Sequence, residues 1–389
     1  MDTRIYWFTA VAGYIIQTKC FSYLQTRDKH DNISDDNVHR GLMVVLAFMY
    51  FASLLLLSPV ARFFDKAKET KRKRNSTAPL TLSSSSSDLE LQTLTEEEPV
   101  APVAPVAVIR DNKIDNSQGI SLTYCAKLLT LSILLLIPIM SYIMALSMSP
   151  GFDVALIQNT SVFEITSLLY GVCGFTKRKK VVSKFMVMMI ALLGILIVSY
   201  TKATCDLLAG KLSINEKTGE LNDPYLFDRL KSSLLCGLGA LTMGPFAVFW
   251  NRWFNKRSQN VSLSQQCSHL SMIGIICMVM LLPFFPSMMN TISAIYKDQQ
   301  FWFFSLVSVF LGTWLHAVSL LQVNRKTSPE YSTTINLGTI IFMGISDWIC
   351  EPGQTTIVRW EVIGYIMLSV CCIMLSVSYY DKKRITIHP

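Results

Sequence analysis

The stretch from Tyr124 to Ser147 reads YCAKLLTLSILLLIPIMSYIMALS. Its only formal charge is Lys127, close to the start. A helix rises about 1.5 Å per residue, so a run of this length covers roughly the 30 Å hydrocarbon core of a bilayer. A membrane barrel strand would alternate in polarity over about ten residues, and this run does not. In lipid the backbone must satisfy its own hydrogen bonds, and a helix does so within one segment.

Nine further runs of the same kind flank it, at 4–24, 42–64, 152–175, 185–203, 230–250, 268–286, 300–322, 332–350 and 358–378. The expected fold class is therefore all-α, a polytopic membrane protein of about ten transmembrane helices. Composition agrees. Of 389 residues, 51% are hydrophobic and 16% charged, and the mean hydropathy is +0.38. A water-soluble domain needs more polar surface than that. The first run lacks a small-x-small cleavage site and carries Lys19 near its end, so it reads as an uncleaved anchor rather than a signal peptide.

Lysine and arginine set the orientation. With the N-terminus in the cytosol, inside segments carry 22 of these residues and outside segments 8. That bias predicts both termini on the cytosolic side. The chain then divides into two helices over 1–64, a cytosolic linker 65–123, helices three to five over 124–203, a lumenal acidic loop 204–229, and helices six to ten with a short tail over 230–389. The linker has a basic cluster (Lys66–Arg74), a serine run (Ser83–Ser87), an acidic run (Glu96–Glu98) and Pro-Val-Ala repeats. This composition cannot bury enough apolar surface to fold. The loop 204–229 keeps Leu207, Leu212, Tyr225 and Phe227 and is expected to be structured. Asn32 heads an Asn-Ile-Ser sequon on the lumenal side and is the glycosylation candidate.

Polar groups inside spans are costly, so they are the first candidates for function. Six residues read as lining an intramembrane polar cavity: Gln158, Asn159 and Glu164 in span four, His316 in span eight, Asn336 and Asp347 in span nine. The competing reading is hydrogen bonding that only holds helices together. Lys19 and Lys202 read as snorkelling to the interface. Cys20, Cys205 and Cys350 fall near one side of the membrane and are disulfide candidates in an oxidising lumen. The loop residues Asn215, Glu216, Glu220, Asn222 and Asp223 are a candidate calcium or partner contact. They do not form an EF-hand. Setting Gly219 at the glycine position puts Ile214 and Tyr225 where oxygen ligands belong. No zinc spacing, phosphate loop, nucleophile–base set or Asp-x-Asp pair occurs, so catalysis is not expected and no cofactor is implied.

The run NTSVFEITSLLYGVCGF from Asn159 can be laid against NLGTIIFMGISDWICEP from Asn336. Each is followed by a span ending Val-Ser-Tyr, at Val198–Tyr200 and at Val377–Tyr379. Five helices plus five suggest inverted repeats, because an odd-numbered half reverses its orientation. The pattern resembles the drug/metabolite transporter superfamily. That resemblance carries a rival function, transport of a nucleotide sugar, another metabolite or calcium.

Longer strings carry a second resemblance. WFTAVAGYIIQTKC (7–20), FMYFASLLLL (48–57), ALIQNTSVFEITSLLYGVCG (155–174), YTKATCDLLAGKLS (200–213), TGELNDPYLFDRLK (218–231), GLGALTMGPFAVFWNRWF (237–254) and CEPGQTTIVRWEVIGYIML (350–368) resemble the fungal regulatory subunits of mannosylinositol phosphorylceramide (MIPC) synthase. The likeness covers nearly all of the membrane part and leaves out the linker. It implies a non-catalytic subunit in the endoplasmic reticulum membrane, acting in sphingolipid biosynthesis. The partner it implies is a catalytic mannosyltransferase that transfers mannose from GDP-mannose to inositol phosphorylceramide. It also implies a link to calcium homeostasis.

Overall fold

The computed structural model describes residues 3–30, 36–59, 61–62, 122–171, 181–208, 213–214, 221–222, 226–254, 262–327, 329–350 and 359–387. Among them the chain is helical except for one tiny hairpin. The helices are α1 (Thr3–His30), α2 (Asp36–Leu55), α3 (Leu122–Met148), α4 (Gly151–Gly171), α5 (Val181–Leu208), α6 (Leu226–Trp253), α7 (Leu263–Leu281), α8 (Phe285–Ile295), α9 (Gln299–Val307), α10 (Leu315–Lys326), α11 (Pro329–Ser332), α12 (Thr334–Cys350) and α13 (Arg359–Ile387). The hairpin pairs β1 (Ser213–Ile214) with β2 (Leu221–Asn222), antiparallel.

Among the described residues, six stretches are long and apolar enough to cross a membrane: Arg40–Pro59, Leu122–Met148, Leu230–Trp253, Leu263–Ser293, Gln299–Lys326 and Trp360–Tyr380. Phe185–Thr201 and Thr334–Cys350 are apolar but shorter. Helices α1 and α4 are not among the six, and they carry much of the interior polar chemistry. Outward faces look as lipid requires. On α6, Leu230, Leu234, Leu238 and Leu241 are exposed at helical spacing, and on α13 Ile363, Ile366, Val370, Ile373 and Val377 are exposed. Stripes this apolar facing water would drive aggregation.

Helices run past the hydropathic limits, because a helix entering water keeps its ladder while its side chains turn polar. Helix α1 reaches His30 and α5 reaches Leu208. Helix α7 starts at Leu263, earlier than the 268 expected, because Ser262 and Gln265 form a reciprocal capping box. Its rod then bends through a short 3-10 turn, Leu282–Phe284, where Pro283 and Pro286 remove backbone donors. The eighth expected span is one rod whose middle, Ser308–Trp314, is π-helical between α9 and α10.

Packing pairs α3 with α6, α4 with α6, α5 with α13, α2 with α7 and α8, and α4 with α12. Helix α1 packs against α10, the π-helical segment and α12. Further contacts join α4 to α5, α12 to α13, α3 to α7, and α2 to the π-helical segment. The buried side chains form two main apolar cores. The larger draws on α2, α3, α6, α7 and their neighbours, through residues such as Phe51, Leu131, Ile143 and Ile273. The other is built from α4, α5, α12 and α13, through Phe163, Ala191, Ile340 and Leu368. Tyr14 of α1 packs against both.

Candidate functional site

Helix α1 runs along the seam between the cores, and its residues there are polar. Gly13, Gln17, Tyr14 and Thr18 recur at a spacing of four, so they share one side of the helix. The close approach of α10 demands Gly13. A Cβ there would sit 2.8 Å from the His316 backbone nitrogen and 2.9 Å from the Gly312 carbonyl oxygen. Gly312, in the π-helical segment, likewise lies against Gln17. Wide π turns often mark functional positions, and this one faces the seam.

Tyr14 is the hub. Its hydroxyl donates to Gln158 Oε1 at 2.7 Å. The Asn159 amide lies within reach of the same hydroxyl. Asn159 also donates through Nδ2 to the Ala155 carbonyl at 2.7 Å. Thr18 donates to the Tyr14 carbonyl at 2.9 Å or shares its proton with Tyr142, whose hydroxyl is 2.7 Å away. The His316 ring lies 5.7 Å from that of Tyr14, and its Nδ1 is 2.7 Å from the Ala10 carbonyl oxygen. A carbonyl only accepts, so Nδ1 carries the hydrogen and Nε2 of the neutral ring is an acceptor. Tyr50 and the Cys236 thiol complete the neighbourhood.

One turn further along α1, Lys19 Nζ pairs with Asp347 Oδ1 of α12 at 2.6 Å. Lys19 therefore does not simply snorkel: its ammonium group is held by a carboxylate that is itself only 15% exposed. Asp347 binds α12 to the seam helix instead of standing open in a cavity. Near it, the Tyr365 hydroxyl donates to Glu361 at 2.6 Å and rests where Gly344 leaves room for it.

Of the six expected cavity residues, Gln158, Asn159 and His316 meet at Tyr14. Asp347 is at the Lys19 pair. Glu164 is half-buried on α4, with no hydrogen bond or ion pair among the described residues, about 9 Å along the helix from Gln158. Asn336 lies in the first turn of α12, where its backbone N–H donates to the Thr333 carbonyl at 3.1 Å. That end is tied to α1 by Trp7 Nε1 donating to Thr334 at 2.9 Å, well away from Tyr14. Tyr14, Thr18, Tyr50 and Tyr142 escaped the reading of the sequence. For Tyr14 and Thr18 the signal was the four-residue polar spacing within 7–20, a region otherwise read as an anchor; Tyr50 and Tyr142 lie in apolar runs with no such spacing.

Cys20 is a buried free thiol and Cys350 an exposed free one, so the disulfide expected among Cys20, Cys205 and Cys350 does not join these two. The side chain of Cys205 lies outside the described residues, as does that of Lys202. Asn32, Asn215, Glu216, Glu220 and Asp223 also lie outside them, and Asn222 is described only as backbone in β2. Among the described residues no group of three His, Cys, Asp or Glu side chains gathers to hold a metal ion.

The profile of the family described as ceramide synthase regulator matches residues 1–379. The chain belongs to the ceramide synthase regulator family. A curated relative in this family is the mannosyl phosphorylinositol ceramide synthase regulatory protein CSG2 of Saccharomyces cerevisiae. It is 46% identical over 411 aligned positions, covering 98% of this chain and 99% of the relative. A crystal structure with 10% identity aligns over 97% of this chain and 98% of its own, with a TM-score of 0.50. That likeness concerns the fold alone.

Proposed function

We propose that this ceramide synthase regulator is a non-catalytic subunit of MIPC synthase, acting on a separate mannosyltransferase in sphingolipid biosynthesis. The observation that carries this reading is the end-to-end 46% identity with a protein named as the regulator of that enzyme. The sequence offers no Asp-x-Asp pair for a nucleotide-sugar metal, so the chemistry is assigned to the partner. The regulator lies in the endoplasmic reticulum membrane with both termini in the cytosol, a reading supported by the family likeness and by the lysine and arginine bias.

The bundle has ten spans in a 5+5 inverted repeat. Helix packing supports this. Counting α7–α8 and α9–α10 as single rods and leaving out the short α11, a shift of five turns the α3–α6 contact into that of the α9–α10 rod with α1. It turns α4–α6 into α12–α1 and α4–α5 into α12–α13. It maps α5–α13, α4–α12 and α2 with the α7–α8 rod onto themselves, as a pseudo-twofold requires. The loop between α5 and α6, with its small hairpin, is the candidate contact for the partner or for calcium.

Mild detergent extraction followed by affinity purification of this chain tests the association. The expected result is co-purification of a mannosyltransferase in a fixed ratio. Recovery of the chain without one, from membranes that contain the enzyme, contradicts the reading.

A further inference from the structure

We propose that the space around Tyr14 is a binding site for a neutral ligand bearing hydroxyl and amide groups. Three observations meet there. First, Tyr14, Gln158 and His316 meet at the seam, where Tyr14 packs against both apolar cores. All three are nevertheless only partly buried, as is Tyr50. Side chains that meet in a helix seam and still keep accessible surface leave room beside Tyr14. Second, two polar ends there have no partner among the described residues. Gln158 spends Oε1 on Tyr14 and leaves its amide NH2, two donors, unused. His316 spends Nδ1 on Ala10 and leaves Nε2, an acceptor, unused. Third, aromatic rings back these groups, Tyr142 among them as a core residue beside Tyr14. The rings of Tyr14 and Tyr142 are 6.2 Å apart, and those of Tyr14 and His316 5.7 Å apart.

Aromatic walls with a few convergent polar groups are the usual make-up of a small-ligand site. The hydrogen-bonding groups are uncharged. Lys19 and Asp347 already neutralise each other, and the carboxylates Asp153 and Glu164 lie more than one turn of α4 away from Gln158. An anion would enter with no counter-charge, and any ion with a large desolvation cost. Neutral polar groups match instead: a ligand hydroxyl can donate to His316 Nε2 or accept from Gln158 Nε2, and an amide offers both a donor and an acceptor. Such groups could come from a ceramide-type lipid entering from the bilayer or from a free polyol entering from water. Choosing ceramide as a probe rests on the proposed regulation of a ceramide-modifying enzyme; the site itself does not.

The test uses the full chain in lipid nanodiscs, without the mannosyltransferase, with a photoactivatable ceramide and with radiolabelled myo-inositol as separate probes. The expected result is saturable binding of one of them; if it is ceramide, photoadducts of the unaltered chain map to the segments around Tyr14, Gln158 or His316. Gln158→Leu and His316→Phe should each weaken binding about tenfold or more. Ser319→Ala, which removes a hydrogen bond to Thr9 at the same helix interface, should leave it unchanged. Ceramide binding identifies the lipid as the source and inositol binding the polyol. No saturable binding of either, adducts confined to the outward faces of α5 and α13, or well-folded variants with full affinity would overturn the site. Because the partner is absent, any of these outcomes leaves co-purification with the enzyme to be judged separately.

Discussion

Two helix interfaces in this bundle are built around glycine, and they differ in almost everything else. Where α1 meets α10 and the π-helical segment, backbones touch and polar groups follow: the Gly13–His316 approach, the Ala10–His316 bond, and the Thr9–Ser319 pair at 2.7 Å. Where α5 meets α13, the contact is dry. Gly194 and Gly364 face each other among Val198, Met367 and Leu368, and a weak Cys371 thiol bond to the Val187 carbonyl, at 3.6 Å, is the polar contact of note. The seam of α1 is central and chemically rich, while the α5–α13 pair is peripheral and shows lipid its Leu193, Leu196, Ile366 and Val370. Lipid tails are as apolar as leucine, so close packing alone must hold the outer pair. The inner seam has hydrogen bonds to spare, which packing alone does not need.

The two glycines can be set against each other directly. Gly13→Ala forces a methyl against backbone atoms of His316 and Gly312 that cannot rotate away. We expect a loss of roughly 3 kcal/mol, at the upper end for overpacking, seen as a collapse of the monodisperse peak in size-exclusion chromatography. An intermediate effect is expected from Asp347→Asn. It leaves Lys19 in a mostly enclosed position without its carboxylate, at a cost of about 2 kcal/mol, between exposed and fully buried pairs. Adding Lys19→Met should recover part of that loss, and a double-mutant cycle by denaturant titration measures the coupling. Tyr14→Phe keeps the ring and removes the bond to Gln158, so about 1 kcal/mol is expected from the same titration. The smallest effect is Gly194→Ala. The nearest atoms are the Met367 Cβ at 3.2 Å and the Gly364 oxygen at 3.3 Å, and a shift of a few tenths of an ångström relieves both. We expect less than about 1 kcal/mol. If Gly194→Ala costs more than Gly13→Ala, the contrast between the interfaces is wrong.

Much of the fold was legible because lipid imposes a simple rule. An apolar run of spanning length must be helix, and each expected run coincides with a helical rod, with ends displaced. The displacements have local causes, such as the Ser262–Gln265 box and the Pro283–Pro286 bend, which hydropathy averages away. The site was legible only in part. Gln158, Asn159 and His316 stood out as polar residues in apolar runs. Tyr14 and Tyr142 did not, because a tyrosine is mostly ring and blends into such a run. The Lys19–Asp347 pair joins positions far apart in the chain, and no local pattern reveals a partner at that distance.

The most direct test of the regulatory account is the rate of mannose transfer from GDP-mannose to inositol phosphorylceramide. It should be measured in membranes lacking this chain, with the catalytic subunit quantified in parallel and the chain then restored. The account predicts that transfer falls sharply, through lower enzyme level or lower turnover per enzyme, and returns on restoration. Full transfer by a normal amount of enzyme in the absence of this chain would contradict it.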